Sequence, residues 1–156
     1  MPDACERNKS VIRRLLAEVD RGNLGVVDEC YSPSYVDRTP SPIRGLAEGR
    51  EGVRRAFAIF QQAFPDTKHS IDDLVAEGDR VVARISARGT HTGELFGHAP
   101  TGQVVTLTGI TIYRLVDGQI VERWAEHGLG ILDQLGIPVP SARAGAPGHR
   151  VEESSR

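Results

Sequence analysis

The chain has few aromatic residues, almost no sulfur and no marked excess of charge. Phe, Tyr and Trp make up 5% of its 156 residues, and Trp124 is its one tryptophan. Its two cysteines, Cys5 and Cys30, fall in expected helices without metal-ligand spacing, so free thiols are expected rather than a disulfide. No pair of the five histidines has ligand spacing, and no metal is expected. A net charge of −2 and a pI near 6.2 give no electrostatic reason for a nucleic-acid or anionic-membrane partner. No apolar run is long enough to cross a bilayer. The first residues, Met1 to Arg7, lack a basic segment followed by an apolar one, so a cytoplasmic location is expected. A nucleophile elbow, a phosphate loop and a dinucleotide fingerprint are all absent.

What remains is an ordinary globular composition, 39% hydrophobic and 26% charged, of a length that suits one domain. Val11, Ile12, Leu15, Leu16 and Val19 recur at helical spacing and predict a helix over 5–21, ended by Gly22-Asn23. A short helix is expected over 24–31, broken by Ser32-Pro33-Ser34, with Tyr35 to Arg38 extended and Thr39 to Gly49 a loop. A third helix over 48–64 carries the stripe Val53, Ala56, Phe57, Phe60 and Phe64. Such a stripe fits core, and a helix over a pocket shows the pocket the same face. Strands follow over 68–77, 80–91, 104–116 and 119–127. Gly78-Asp79 and Asp117-Gly118 mark turns between them. A loop over 93–102 holds Phe96, His98 and Pro100, and a short helix is expected over 129–135. Helices followed by hairpin-linked strands give an α+β class. Residues 1–139 read as the domain and 140–156 as a poorly ordered tail.

Several segments resemble the SnoaL-like polyketide cyclase family, within the nuclear-transport-factor-2-like superfamily. They include Gly22-Asn23-Leu24, Tyr35-Val36-Asp37, Gly49-Arg50-Glu51-Gly52-Val53, Ala63-Phe64-Pro65-Asp66 and Glu77-Gly78-Asp79-Arg80-Val81-Val82. Gly89-Thr90-His91-Thr92-Gly93-Glu94, Pro100-Thr101-Gly102, Asp117 to Glu122 with Trp124, and Leu129-Gly130-Ile131-Leu132 continue the series over about residues 8–138. The resemblance implies a cone-shaped, curved antiparallel sheet closed by N-terminal helices. It also implies a deep pocket, a homodimer or higher homo-oligomer, and no cofactor. Family members close carbocyclic rings by aldol-type chemistry, and relatives on the fold open epoxides, isomerise or dehydrate. The sequence departs from the family pattern in two places. Gly128 stands where the family has its acid/base aspartate, in a segment one residue short, and Arg38 replaces a histidine after Tyr-Val-Asp.

Strand alternation puts Ile120, Glu122, Trp124 and Glu126 on one face and Val121, Arg123, Ala125 and His127 on the other. Glu126 shares the tryptophan's face and is the favoured acid/base, because a carboxyl in an apolar pocket is raised towards neutral pH. His127 is next, reached by a bulge or an early strand end. The competing role for Glu126 is a rim carboxylate in a surface ion pair. His91 shares its face with Val81, Ala83, Ile85 and Ala87, and either orients a substrate oxygen or is satisfied structurally. Trp124, Phe57 and Phe60 are candidate pocket walls. Tyr35 and Asp37 sit at the mouth, and the face of Tyr113 is open.

Together these readings predict a cofactor-independent cyclase that takes a small-molecule biosynthetic intermediate. It closes a ring by aldol-type or epoxide-opening chemistry. The alternatives are an epoxide hydrolase or isomerase on the same fold, or a binding protein without catalysis.

Overall fold

The structure, a computed structural model, describes residues 3–39, 48–127 and 130–138. The expected tail and most of the loop after Thr39 lie outside these residues, as does Gly128. Helix α1 (Ala4–Asp20) starts where Asp3 accepts the Glu6 amide at 2.8 Å, a cap that stabilises a helix by about 1 kcal/mol. Its buried side is Ile12, Leu15, Leu16 and Val19, as the spacing predicts. Each such aliphatic side chain contributes on the order of 1.5–3 kcal/mol when fully buried. Helix α2 (Val26–Cys30) and helix α3 (Gly49–Ala63) follow, and α4 (Ile131–Leu135) ends at Gly136 in the left-handed region, φ 68°. Both cysteines are free thiols. Among the described residues no helix is long and apolar enough to cross a membrane.

Five strands form one open, mixed sheet in the order β1-β5-β4-β3-β2. They are β1 (Tyr31–Asp37), β2 (Lys68–Glu77), β3 (Arg80–Thr90), β4 (Val104–Val116) and β5 (Gln119–His127). Strands β2 to β5 pair antiparallel, with Asp117-Gly118 at φ 49° and 76° turning β4 into β5. Two expectations are corrected here. The second helix ends at Cys30, ahead of Ser32-Pro33-Ser34 as expected, but the extended piece does not wait for Tyr35; β1 runs through the triplet from Tyr31 and pairs parallel to β5. The sheet is therefore not purely antiparallel, and it does not close on itself. Pro33 is tolerated because β1 is an edge strand, where a missing amide donor costs little.

The helices cover one face of the sheet. Behind them lies a core of Ile12, Leu15, Val26, Val27, Val81, Ala83 and Ile120 with Tyr31, Tyr35 and Tyr113. Phe57 packs against this cluster, while Phe60 packs against a second one around Phe64, Leu95, Val105 and Leu135. The phenylalanine stripe of α3 is thus divided between two cores.

Two β-bulges decide which side chains face the helices. Ile71 pairs with Ile85 but Asp73 pairs with Arg84, so Asp72 is an extra residue in β2. Likewise Leu115 pairs with Ile120 but Arg114 pairs with Glu122, leaving Val121 extra in β5. One inserted residue exchanges the two faces of everything beyond it. Past Val121 the helix-facing residues are Arg123, Ala125 and His127, opposite Tyr113, Thr111 and Gly109. Glu122, Trp124 and Glu126 point outward, opposite Arg114, Ile112 and Ile110.

Candidate functional site

The end of the sheet where β1, β5 and β4 meet gathers polar groups onto the helix-facing side. Three tyrosines form its floor. Tyr31, Tyr35 and Tyr113 are 2%, 3% and 5% exposed. Tyr31 and Tyr35 meet edge to face, with ring centroids 4.8 Å apart. Burial pushes all three phenols above the ordinary tyrosine range, so they are neutral donors at any physiological pH. The hydroxyl of Tyr35 is buried and has no hydrogen-bond partner among the described residues, and its charged neighbours are Arg123 and Asp37.

Arg123 donates from Nη1 to Asp37 Oδ2 at 2.8 Å. Burial opposes the guanidinium's charge, but the surrounding tyrosine oxygens and Asp37 more than offset it, so its pKa lies above the usual arginine value. One backbone–backbone bond and one amide-to-hydroxyl bond flank this ion pair and tie the two strands together. The Arg38 amide donates to the Arg123 carbonyl at 2.8 Å, and the Ala125 amide donates to Thr39 Oγ1 at 2.6 Å.

His127 ends β5 on the same face, four residues and about 13 Å along the strand from Arg123, with Ala125 between them. As a whole residue it is exposed. Burial of its inner side, then the charge of Arg123, lower its pKa below the ordinary histidine value; Asp37 and Glu126 act in the opposite sense. An imidazole biased towards its neutral form thus shares a sheet face with a fixed cation four residues away. That combination suits a base that removes a proton and a cation that holds the resulting anion.

The other sequence candidates are placed elsewhere. Glu126 is exposed and on the outer face, where Trp124 lies with the Arg80 guanidinium carbon 5.8 Å from its ring. Trp124 and Glu126 thus share a face, as expected, but the bulge at Val121 puts that face away from the helices and from Ile120. Tyr113, whose face the sequence leaves open, is helix-facing and buried. His91 is fully buried but six residues along β3 from Ile85, the β3 neighbour of Gly109, or about 20 Å from His127's level in the sheet. It packs on Phe64 with centroids 5.3 Å apart, and its Nδ1 accepts the Thr101 amide at 3.2 Å. Its Nε2 is buried without a partner among the described residues. His91 and Glu126 are not brought together.

An open groove of about 490 Å³ lies at the opposite sheet edge, between α1 and β2. Its His69 and Asp20 pair with each other at 2.6 Å, and its Asp72 and Asp73 pair with Arg84. These charges are already matched.

Sequence reasoning did not single out Arg123, Tyr31 or Gly109. A cation on the face of Ala125 and a glycine within a long strand were the available signals.

Comparison with known proteins gives a consistent set of relatives. The family model described as SnoaL-like polyketide cyclase matches residues 10–135. The aklanonic acid methyl ester cyclase DnrD of Streptomyces peucetius is 27% identical over 141 residues, covering 88% of this chain and 96% of that protein. Among solved structures, AclR from Streptomyces galilaeus superposes with a TM-score of 0.75 at 29% identity, over 85% of this chain and 83% of AclR. IdmH from Streptomyces antibioticus does so with 0.71 at 31%, over 83% and 99%.

Proposed function

The chain belongs to the SnoaL-like polyketide cyclase family, and from that membership we propose that it closes a ring in a polyketide-type intermediate by carbon–carbon bond formation, with His127 as the base. The observation that carries this reading is the common face of His127, the Arg123–Asp37 pair and the buried tyrosines.

In the proposed reaction His127 removes a proton from a carbon next to a carbonyl, and the electron pair moves onto the carbonyl oxygen. Asp37 holds one amino group of Arg123, and a guanidinium has five N–H donors in all, so others remain for that oxygen. Tyr35 adds a neutral hydroxyl that lies within reach of Arg123 and Asp37. The enolate carbon then attacks a second carbonyl of the same molecule. The new alkoxide takes the proton back from His127. Atoms and charge balance without a cofactor, and pocket shape supplies rate by holding the two ends together.

Epoxide opening needs an acid at neutral pH, and a histidine with a lowered pKa is a poor one. The charge pattern thus favours an enolate route over acid-assisted epoxide opening. His127 takes over from Glu126 in this reading because Glu126 lies outside the helix-facing side. That side is proposed to form the cone-shaped hollow, with Phe57 and Phe60 of α3 as apolar lining. The protein is further proposed to act in the cytoplasm as a homo-oligomer that buries its outer sheet face, where Val104 and Ile110 are 51% and 50% exposed.

The test is turnover of a panel of linear and partly cyclised polyketide esters, with products followed in ¹⁸O-water. Ring closure with no loss of carbon and no hydrolytic solvent oxygen in a new hydroxyl supports the reading. A diol carrying one solvent oxygen moves the protein to hydrolysis, and binding without turnover across the panel removes catalysis altogether.

A further inference from the structure

Gly109 and His127 make the tightest approach in the candidate site. They are cross-strand partners on the helix-facing side. A Cβ built on Gly109 would stand 2.8 Å from Nδ1 of His127, 3.6 Å from its Cε1 and 3.0 Å from the Glu126 carbonyl oxygen. The first distance is shorter than a real side chain tolerates.

A glycine within a 13-residue strand weakens that strand, since it brings entropy and no packing. Two needs explain such a residue, a left-handed backbone or close approach by another group. Gly118 in the neighbouring turn meets the first need, with φ 76°. Gly109 does not; its φ is outside the left-handed region, and any residue could adopt its backbone. What Gly109 supplies is room, and the imidazole occupies it. The flanking helix-facing positions of β4, Leu107 and Thr111, carry side chains, so the space is local to the histidine.

We propose that Gly109 is the positioning residue for His127: it seats the Nδ1–Cε1 edge of the ring against the β4 backbone and leaves Nε2 as the nitrogen turned to the reacting carbon. Without that seat the ring swings outward, away from Arg123 and towards solvent. The specific part played by Nε2 rests on the proton-transfer role proposed for His127; the seat itself does not.

The test is an NMR titration of the full chain labelled with ¹⁵N-histidine, with His127→Ser used to assign the signal. In Gly109→Ala the His127 midpoint is expected to rise towards the ordinary histidine value of about 6.5, with changed ring-nitrogen shifts. An unchanged midpoint and unchanged shifts overturn the proposal. A second comparison holds if Gly109→Ala folds poorly. Its Tm loss is measured in the wild-type chain and again in His127→Ser, where no ring fills the space. A loss at least halved in the serine background supports the seat. An equal loss, or failure to fold in both backgrounds, overturns it and assigns the glycine to the Glu126 carbonyl instead. Turnover by His127→Ala would remove the proton-transfer role while leaving the titration result standing.

Discussion

Arg123 and Asp37 join the last strand of the sheet to its parallel edge strand through a 2.8 Å ion pair, directly over the buried hydroxyl-bearing floor of Tyr31, Tyr35 and Tyr113. The pair fixes a positive charge on the face that His127 shares. Most of the functional expectations depend on that one arrangement.

Replacing His127 by Ala is expected to lower kcat by about 10²–10⁴-fold, the usual worth of a positioned general base. Glu126→Gln is expected to stay within about threefold of the parent, since surface changes away from the reacting groups have small effects. Initial rates of product formation for the two variants, each checked for folding by circular dichroism, decide between them. A silent His127→Ala beside an inactive Glu126→Gln would restore the glutamate.

The pH dependence has a defined direction. Burial and Arg123 lower the His127 pKa, so the base is expected to be neutral at pH 7. kcat/KM should then fall on the acid side with a midpoint below the ordinary value of about 6.5. Arg123→Met removes a charge that lowers this pKa, so the acid limb should move to higher pH as well as shrink. Stability follows the same group. The folded state binds fewer protons than the unfolded one, so His127's contribution is complete above the unfolded pKa. It is lost as pH falls through the lower folded value. Rate profiles between pH 4.5 and 8 and denaturant midpoints over the same range test both statements.

Tyr35→Phe should separate stability from activity. The Tyr35 hydroxyl makes no well-formed hydrogen bond among the described residues, and an unmet buried hydroxyl costs about 1–3 kcal/mol, so its removal is expected to leave Tm unchanged or to raise it. Loss of the donor should still reduce kcat by about tenfold or more. A fall in Tm with unchanged kcat would show the hydroxyl to be a structural partner only.

The outer face offers a test of assembly. Ile110→Glu places a charge at an exposed apolar position of the outer face, between Arg84 and Glu126 on the neighbouring strands. Sedimentation velocity should show a homo-oligomer for the parent chain and a monomer for the variant, with Tm lowered by the lost interface. A parent chain that sediments as a monomer removes the proposed assembly.

How far the sequence could be read depended on whether each strand was regular. In β3, Val81, Ala83, Ile85, Ala87 and Gly89 alternate without interruption, and their facing was plain. In β2 the better apolar positions, Ile71 and Leu74, are three apart, a spacing no regular strand puts on one face. In β5 the buried residues Ile120 and Ala125 are five apart, with the same meaning. Each odd interval marks a bulge, and in β5 the bulge reverses which of Glu126 and His127 faces the helices. Strand β1 was hidden by Pro33, which argues against a strand except at a sheet edge. Edge position is a property of the assembled sheet and is not written locally. The same holds for Gly109, whose use appears only when its cross-strand partner is known.

The parallel pairing of β1 with β5 also has a consequence in time. Asp37 and Arg123, like Thr39 and Ala125, are 86 residues apart along the chain. Contacts of such separation carry a large loop-closure cost and tend to form late. During synthesis the first half of the site must wait for the second to leave the ribosome. The two-residue turns at Gly78-Asp79 and Asp117-Gly118 close β2–β3 and β4–β5 locally, whereas β1 pairs across most of the chain. Because Tyr31 and Tyr35 of β1 belong to the main core, completing that core and completing the proposed site are expected to be one late event, which needs β5 to have been made.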